Sequence, residues 1–266
     1  MLALSWTIEP LLTQAGVAAL GLALAGWRRH WSLRVFELAL LALLLLLALR
    51  WVRLGHGPFI SLHEILASSV LSLGLVWRLA LWREAALRPT ALPVWALLLM
   101  MGLWLLVSPA RDTHLPATYE TPILWVHVLL GKIFLGLALV ASALAALLLL
   151  RQARPGLACW RSLPADALLE ARAWRFLLLA LVFESLMLIA GAVWAQDAWG
   201  RYWAWDPLET WAFMTWVGLA AALHARLSWP LSPRRSAWLV LGVFALAFLT
   251  FFGVPFVSTA PHQGAV

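Results

Sequence analysis

Apolar runs long enough to cross a bilayer recur along this chain, and they limit its fold more than any other feature. A hydrocarbon core about 30 Å thick takes about 20 apolar residues in α-helical form. Runs of that kind lie at roughly 8–27, 34–52, 60–80, 92–108, 122–150, 175–195, 210–228 and 236–253. Hydrocarbon offers no partner to a backbone amide, so each run must close its hydrogen bonds within itself as a helix. The expected fold is therefore all-α, a polytopic membrane helical bundle of about eight transmembrane helices. Composition agrees: 64% of residues are hydrophobic and 12% are charged, about half the charged share of a soluble domain. A soluble helical protein could not keep so many such runs from water. The fifth run is long enough to tilt or protrude. No repeat or low-complexity linker interrupts the chain, so residues 1–266 read as one integral-membrane domain.

The net charge of +7 does not mark a nucleic-acid binder, because the arginines fall in short loops between apolar runs and form no single basic face. They set topology instead. The loops around Arg28 to Arg34, Arg78 to Arg88, Arg151 to Arg175 and Arg226 to Arg235 hold 14 arginines, while the opposite side holds four: Arg50, Arg53, Arg111 and Arg201. By the positive-inside rule the richer side is cytoplasmic, which puts both termini outside. The lone cysteine, Cys159, has no internal disulfide partner, and no CxxC or CxxCH occurs. The chain is therefore neither a dithiol oxidoreductase nor itself a c-type cytochrome. Its first residues, Met1 to Pro10, lack a basic stretch, so the first apolar run reads as a retained span.

Topology sorts the seven histidines. His30 and His224 fall near the cytoplasmic side; His56, His63, His114, His127 and His262 fall at or near the outer side. That outer side also holds the loop between spans six and seven, placed at 196–210. From Trp194 to Trp216 the sequence carries six tryptophans in 23 residues: Trp194, Trp199, Trp203, Trp205, Trp211 and Trp216. Two readings fit. Tryptophans gather at membrane interfaces as a belt, and a dense aromatic shelf also suits a large flat ligand such as a porphyrin. Asp206, Pro207 and Glu209 take the N-cap, N1 and N3 places of a capping box that starts span seven. Arg201 either faces water or holds an acidic group of a ligand.

Five helical residues beyond Pro122, His127 stands about 8 Å inside the outer end of span five. Gly131, one turn deeper, leaves room there for a flat ligand. Two readings again stand: an imidazole bonded to a neighbouring carbonyl, or a ligand to a bound group, as ionisable residues within spans often are. Lys132 and Glu184 both lie roughly 15 Å deep on antiparallel spans, and we expect them to pair, since lone charges in hydrocarbon are costly. His63 opens span three and reads as a packing residue or an additional ligand. His56 and His114 read as loop residues.

The stretch Trp199-Gly200-Arg201-Tyr202-Trp203-Ala204-Trp205-Asp206-Pro207-Leu208-Glu209-Thr210-Trp211, with Leu223-His224-Ala225-Arg226 downstream, closely resembles the WWD signature of the haem-handling protein family. Within that family it is similar to the CcsA (ResC) branch of System II cytochrome c biogenesis, more than to the CcmC branch. The likeness runs from about Gly55 to the C-terminus and is densest between Trp125 and Arg226. It implies haem b as cofactor, with His127 and His262 as axial ligands on the outer face. Trp199, Trp203, Trp205, Asp206, Trp211 and Arg201 would surround that haem, and His224 would serve a second, intramembrane haem. It implies a bacterial inner (plasma) membrane, a CcsB/ResB-like membrane partner, and an apocytochrome c whose CxxCH cysteines receive the haem. The chain would then be a component of a cytochrome c synthetase with no catalytic acid, base or nucleophile of its own. The sequence departs from the family in three places: the motif around His262 is short, no CcsB module is present, and His63 stands where tyrosine is usual. A haem exporter or haem-binding subunit without ligation activity is the alternative. A quinone-reactive cytochrome b is disfavoured, because no two histidine pairs fall at depth.

Overall fold

The structure, a computed structural model, describes residues 2–155 and 163–257, and side chains at 8–155 and 163–255. All regular structure among the described residues is helical: α1 (Leu2–Ala25), α2 (Ser32–Leu54), α3 (Leu62–Arg83), α4 (Ala91–Val107), α5 (Pro122–Ala153), α6 (Asp166–Trp199), α7 (Pro207–Ser228), α8 (Pro233–Phe252) and the single turn α9 (Val254–Val257). Short 3-10 turns sit at Ala85–Thr90 and Ala117–Tyr119. Helix starts are written in the sequence. Proline at N1 follows Thr121, Asp206 and Ser232 at the N-caps of α5, α7 and α8, where its missing N–H costs nothing. Helix stops are as plain at two places, where Gly55 (φ 76°) and Gly200 (φ 72°) take the left-handed conformation that closes α2 and α6 and that a Cβ disfavours.

Every expected span is a helix, with two differences. Among the described residues, seven helical stretches are long and apolar enough to cross a membrane, one of them joining the Ala85–Thr90 turn to α4, and the protein is a multi-pass membrane protein. The helix outside that set is α7, whose 22 residues mix Glu209, Thr210, Thr215, His224 and Arg226 with the apolar ones. Helix α6 begins at Asp166, well before the expected edge near 175. Hydropathy registers only the part that suits hydrocarbon, and the polar first turns are instead held by ion pairs. Arg151 pairs with Asp166, Arg172 Nε lies 2.5 Å from Glu84 Oε1, and Arg226 Nε lies 3.0 Å from Glu170 Oε1.

The helices gather into two compact units. The first holds α1, α2, α4 and α3 as far as Arg78. At one end its core is aromatic: Phe36 stacks on Trp95 at 5.0 Å, and Trp77 meets both edge-on at 5.3 and 5.6 Å. At the other end it buries charge. Arg50, 1% exposed, donates from Nε to Glu64 Oε1 at 2.8 Å, from Nη1 to Glu9 Oε2 at 3.2 Å, and to the Arg111 carbonyl. Arg53 bridges Glu9 (2.7 Å) and Asp112 (2.7 Å). Glu64 Oε2 also accepts from the backbone N–H groups of Ile60 and Ser61. Arg50 and Arg53 are thus structural ties, a role that counting charges by side does not reveal. His56 is likewise a buried tie, its Nε2 2.8 Å from the Thr113 carbonyl.

The second unit holds the end of α3, the Ala85–Thr90 turn, and the described residues from Ala117 onward. Its central helix is α5, packed on α6 and α8, with α7 against α6 and α8. Helix α5 is buried almost continuously from Phe134 to Leu148, through Gly136, Ala138, Ala141, Ser142, Ala143 and Ala145. Small residues at such positions let helices approach within a membrane, where burial from water gives no driving force between helices.

Candidate functional site

The geometry of interest lies at the N-terminal end of α5, where it meets the C-terminal part of α6. His127, half-buried, has Nδ1 2.9 Å from the Met187 carbonyl oxygen of α6. A carbonyl only accepts, so Nδ1 carries the proton and Nε2 is the ring nitrogen with the lone pair. The carbonyl bond and the metal-ligand reading are therefore compatible, since ligating histidines regularly donate their second N–H in this way. The imidazole also lies nearly parallel to the Trp194 ring, with centroids 6.2 Å apart and planes at 21°. Trp194, 2% exposed, is the hub of the cluster. Its Nε1–H donates to the Thr118 carbonyl at 3.1 Å, and Tyr119 and Trp199 meet it edge-on at 5.2 and 4.8 Å.

Beyond Trp199 the chain leaves α6 through Gly200 and re-enters helix at Pro207. The loop is thus shorter than the expected 196–210: Trp199 closes α6 and Trp211 sits on α7. Asp206 caps α7 by accepting from Glu209 N–H at 2.9 Å, as expected. Glu209 reaches back differently from a simple capping box, accepting at 2.7 Å from the N–H of Ala204, two residues before the cap. That extra reach accompanies a left-handed Trp205 (φ 57°), an uncommon conformation for a bulky residue. The outcome is a second aromatic group. Trp203 meets Trp205 and Phe213 edge-on at 5.6 and 6.3 Å, and Phe213 stacks on Trp216 at 6.1 Å. Trp205 stays 65% exposed, which leaves ring surface open to a ligand. Arg201 is exposed in the same loop, and Trp211 is exposed on α7.

The remaining expected site residues are placed as follows. His262 lies outside the described residues. His224 is exposed, 18 residues along from the α7 cap, with Nε2 3.3 Å from Ser228 Oγ; it does not join the His127 cluster. Gly131 does not leave ligand space as expected. A methyl there would stand 2.9 Å from Met187 Sδ and 3.3 Å from the Phe251 ring, so protein side chains already fill the place. The expected Lys132–Glu184 hydrogen-bonded pair is not formed, since neither Glu184 carboxylate oxygen has a hydrogen-bond partner among the described residues. His63 is buried, with Nδ1 3.4 Å from Ser108 Oγ, and lines a pocket of about 170 Å³ in the first unit. Drug-sized ligands take about 300–1,000 Å³, so a porphyrin does not fit there.

A haem needs a nitrogen donor of fixed tautomer, apolar ring surface and donors for its propionates. The His127 end of the second unit meets the first two requirements. The third has a candidate in Trp203, whose Nε1–H is buried with no acceptor among the described residues. Orphaned buried donors are uncommon and ask for a partner. The residues present fit the group. Sequence reasoning missed the Met187 carbonyl, Gly191, Trp194 as hub, and Tyr119; only the lone glycine in an apolar span was a visible signal.

Fold and site together define a polytopic helical membrane protein with a histidine–indole cluster at the rim of one helical unit. The chain belongs to the cytochrome C assembly protein family, whose model matches residues 59–262. It is similar to the cytochrome c biogenesis protein CcsA of Prochlorococcus marinus (strain MIT 9312), with 43% identity over 36% of this chain and 31% of that protein. Against the protein of the same name in strain MIT 9515, identity is 28% over 82% of this chain and 78% of the relative. Among solved structures, the fold resembles the cytochrome c haem lyase CcmF, with TM-score 0.65 at 20% identity, across 92% of this chain and 46% of that one.

Proposed function

We propose that this protein carries haem to the outer face of the bacterial inner membrane and presents it there for thioether attachment to the CxxCH cysteines of apocytochrome c. Bound haem supplies an iron for axial ligation and two vinyl groups for the thioethers. His127 offers Nε2 to the iron, with its tautomer held by the Met187 carbonyl. His262, in the tail beyond the described residues, is the partner ligand carried over from the family resemblance. Trp199, Trp203, Trp205 and Trp211 supply ring surface, Trp203 Nε1–H and Arg201 take the propionates, and Asp206 fixes the loop through its cap. His224 serves a second haem near the cytoplasmic side. A CcsB/ResB-like membrane protein is the partner, and the whole chain acts as one haem-handling domain. Catalysis would be chiefly positioning, with His127 and His262 holding the bound haem in place for the cysteine thiols.

One observation carries this reading: an imidazole on α5 whose Nδ1 is committed to a backbone carbonyl of α6, the helix that bears the buried Trp194 and leads into the tryptophan-rich loop. Absorption spectra of the purified protein beside His127→Ala and His262→Ala test it. Each substitution is expected to lose or shift the haem bands; unchanged spectra in both would sink the proposal. Reconstitution with a CcsB-like partner and an apocytochrome c then separates two activities. Covalent product marks ligation, and haem held without product marks a carrier.

A further inference from the structure

We infer that Gly191 is a positioning residue for the iron ligand, an inference that rests on the haem reading above. Side chains on an α-helix lean toward its N-terminus and lie over the preceding turn. Residue 191 is therefore the one whose side chain would cover the Met187 carbonyl, four residues back, which its own N–H engages in the helical ladder. Glycine leaves that carbonyl uncovered. Through this window in the α6 surface the His127 ring reaches a backbone acceptor that helices ordinarily shield, at 2.9 Å.

The fit is close. A methyl group at 191 would stand 2.8 Å from both Cε1 and Nδ1 of His127, nearer than real Cβ contacts allow. Retreat of the imidazole is limited by Trp194, which lies nearly parallel to it with centroids 6.2 Å apart and is itself fixed by Thr118, Tyr119 and Trp199. The ring is thus set between a bare stretch of helix backbone and a buried indole. The carbonyl bond has a chemical consequence beyond orientation. An imidazole donating Nδ1–H to a good acceptor is a more basic ligand at Nε2, and supporting partners of this kind are worth about 10–100-fold in metal affinity. A more strongly donating ligand would also favour ferric over ferrous iron, so the window at 191 would tune a bound haem as well as hold it.

The test compares full-length Gly191→Ala, His127→Ala, the double variant and Gly242→Ala, all purified with bound haem. Gly242 lies on α8, where an added methyl meets nothing within 4 Å, and serves as the control for an alanine in a helix. Three properties are read: haem retained per chain, the reduction potential of that haem, and the ring ¹⁵N shifts of His127, which report the tautomer without haem. We expect Gly191→Ala to retain about tenfold less haem, to raise the potential of what remains, and to lose the Nδ1-protonated signature. Gly242→Ala should match the wild type, and the double variant should match His127→Ala. Wild-type haem, potential and shifts in Gly191→Ala would overturn the inference, as would a further haem loss when Gly191→Ala is added to His127→Ala. If Gly191→Ala does not assemble, the double variant decides: assembly restored by removing the ring assigns the clash to His127, and continued failure overturns the inference. Should His127→Ala leave the haem bands unchanged, the haem reading itself falls, and the ¹⁵N shifts alone still decide whether Gly191 sets the tautomer.

Discussion

Both units bury polar groups, but they treat buried charge in opposite ways. In the first, Arg50, Arg53, Glu9, Glu64 and Asp112 close on one another, and Glu64 adds Ile60 and Ser61 N–H. Such a network leaves little bonding capacity over, and it stitches α1, α2, the start of α3 and the segment after α4 into one body. In the second, buried polar atoms are left over: Trp203 Nε1 and both Glu184 carboxylate oxygens have no hydrogen-bond partner among the described residues. A protein that can satisfy one buried set so fully has the means to satisfy another. Where it does not, a ligand or a movement is the economical explanation. On the proposed haem reading, the contrast gives scaffold work to the first unit and ligand work to the second.

The hardest blow to that contrast comes from the network. Removing one partner of a buried ion pair strands the other, which costs about 3–5 kcal/mol. Arg50→Met should therefore sharply reduce the yield and melting temperature of the purified protein, while protein that survives keeps wild-type haem bands. Shifted bands in an otherwise folded Arg50→Met would show that the network belongs to the ligand site.

Next in size is the orphaned indole. Trp203→Phe keeps an aromatic ring and deletes only the donor. A hydrogen bond to a charged group is worth about 1.5–3 kcal/mol, so haem affinity should fall at least about tenfold with little change in melting temperature. Equal affinity, measured by haem titration, would remove Trp203 from the propionate role. Glu184 sharpens the same point from the other side. An unpartnered buried polar group costs about 2 kcal/mol, so Glu184→Met should raise thermal stability and leave the haem bands alone. A loss of cytochrome c maturation in that stabilised variant would show that the carboxyl works in the cycle.

What the sequence disclosed follows from the range over which each signal acts. Helix starts and caps are local, so Pro122 and Pro207 marked the starts of α5 and α7 in the sequence itself. His127 was visible for the same reason, being an ionisable residue a few positions into an apolar run. Its environment was not visible. The Met187 carbonyl lies 60 residues away in sequence, and a backbone atom carries no letter. Gly131 illustrates the converse error: a missing side chain reads as space, yet Met187 and Phe251 fill it from two other helices. Charge counting assigned Arg50 and Arg53 a side and could not see the acids that meet them from α1 and α3.

The smallest expected effect falls on Trp205. Its backbone is left-handed at φ 57°, a conformation that costs a bulky residue on the order of 1 kcal/mol and that tends to persist where function holds it. Glycine adopts it freely, so Trp205→Gly should raise the melting temperature slightly, by relief of about 1 kcal/mol, despite the loss of edge contacts with Trp203 and Phe213. The indole is 65% exposed, so little packing is forfeited. Haem retention should fall in the same variant, because the ring removed is the one the strain holds open. A stability gain with undiminished haem would make Trp205 an interfacial anchor and shrink the ligand site to the His127 and Trp203 side of the loop. A stability loss would mean that the second aromatic group is scaffold after all, and the division between the two units would no longer hold.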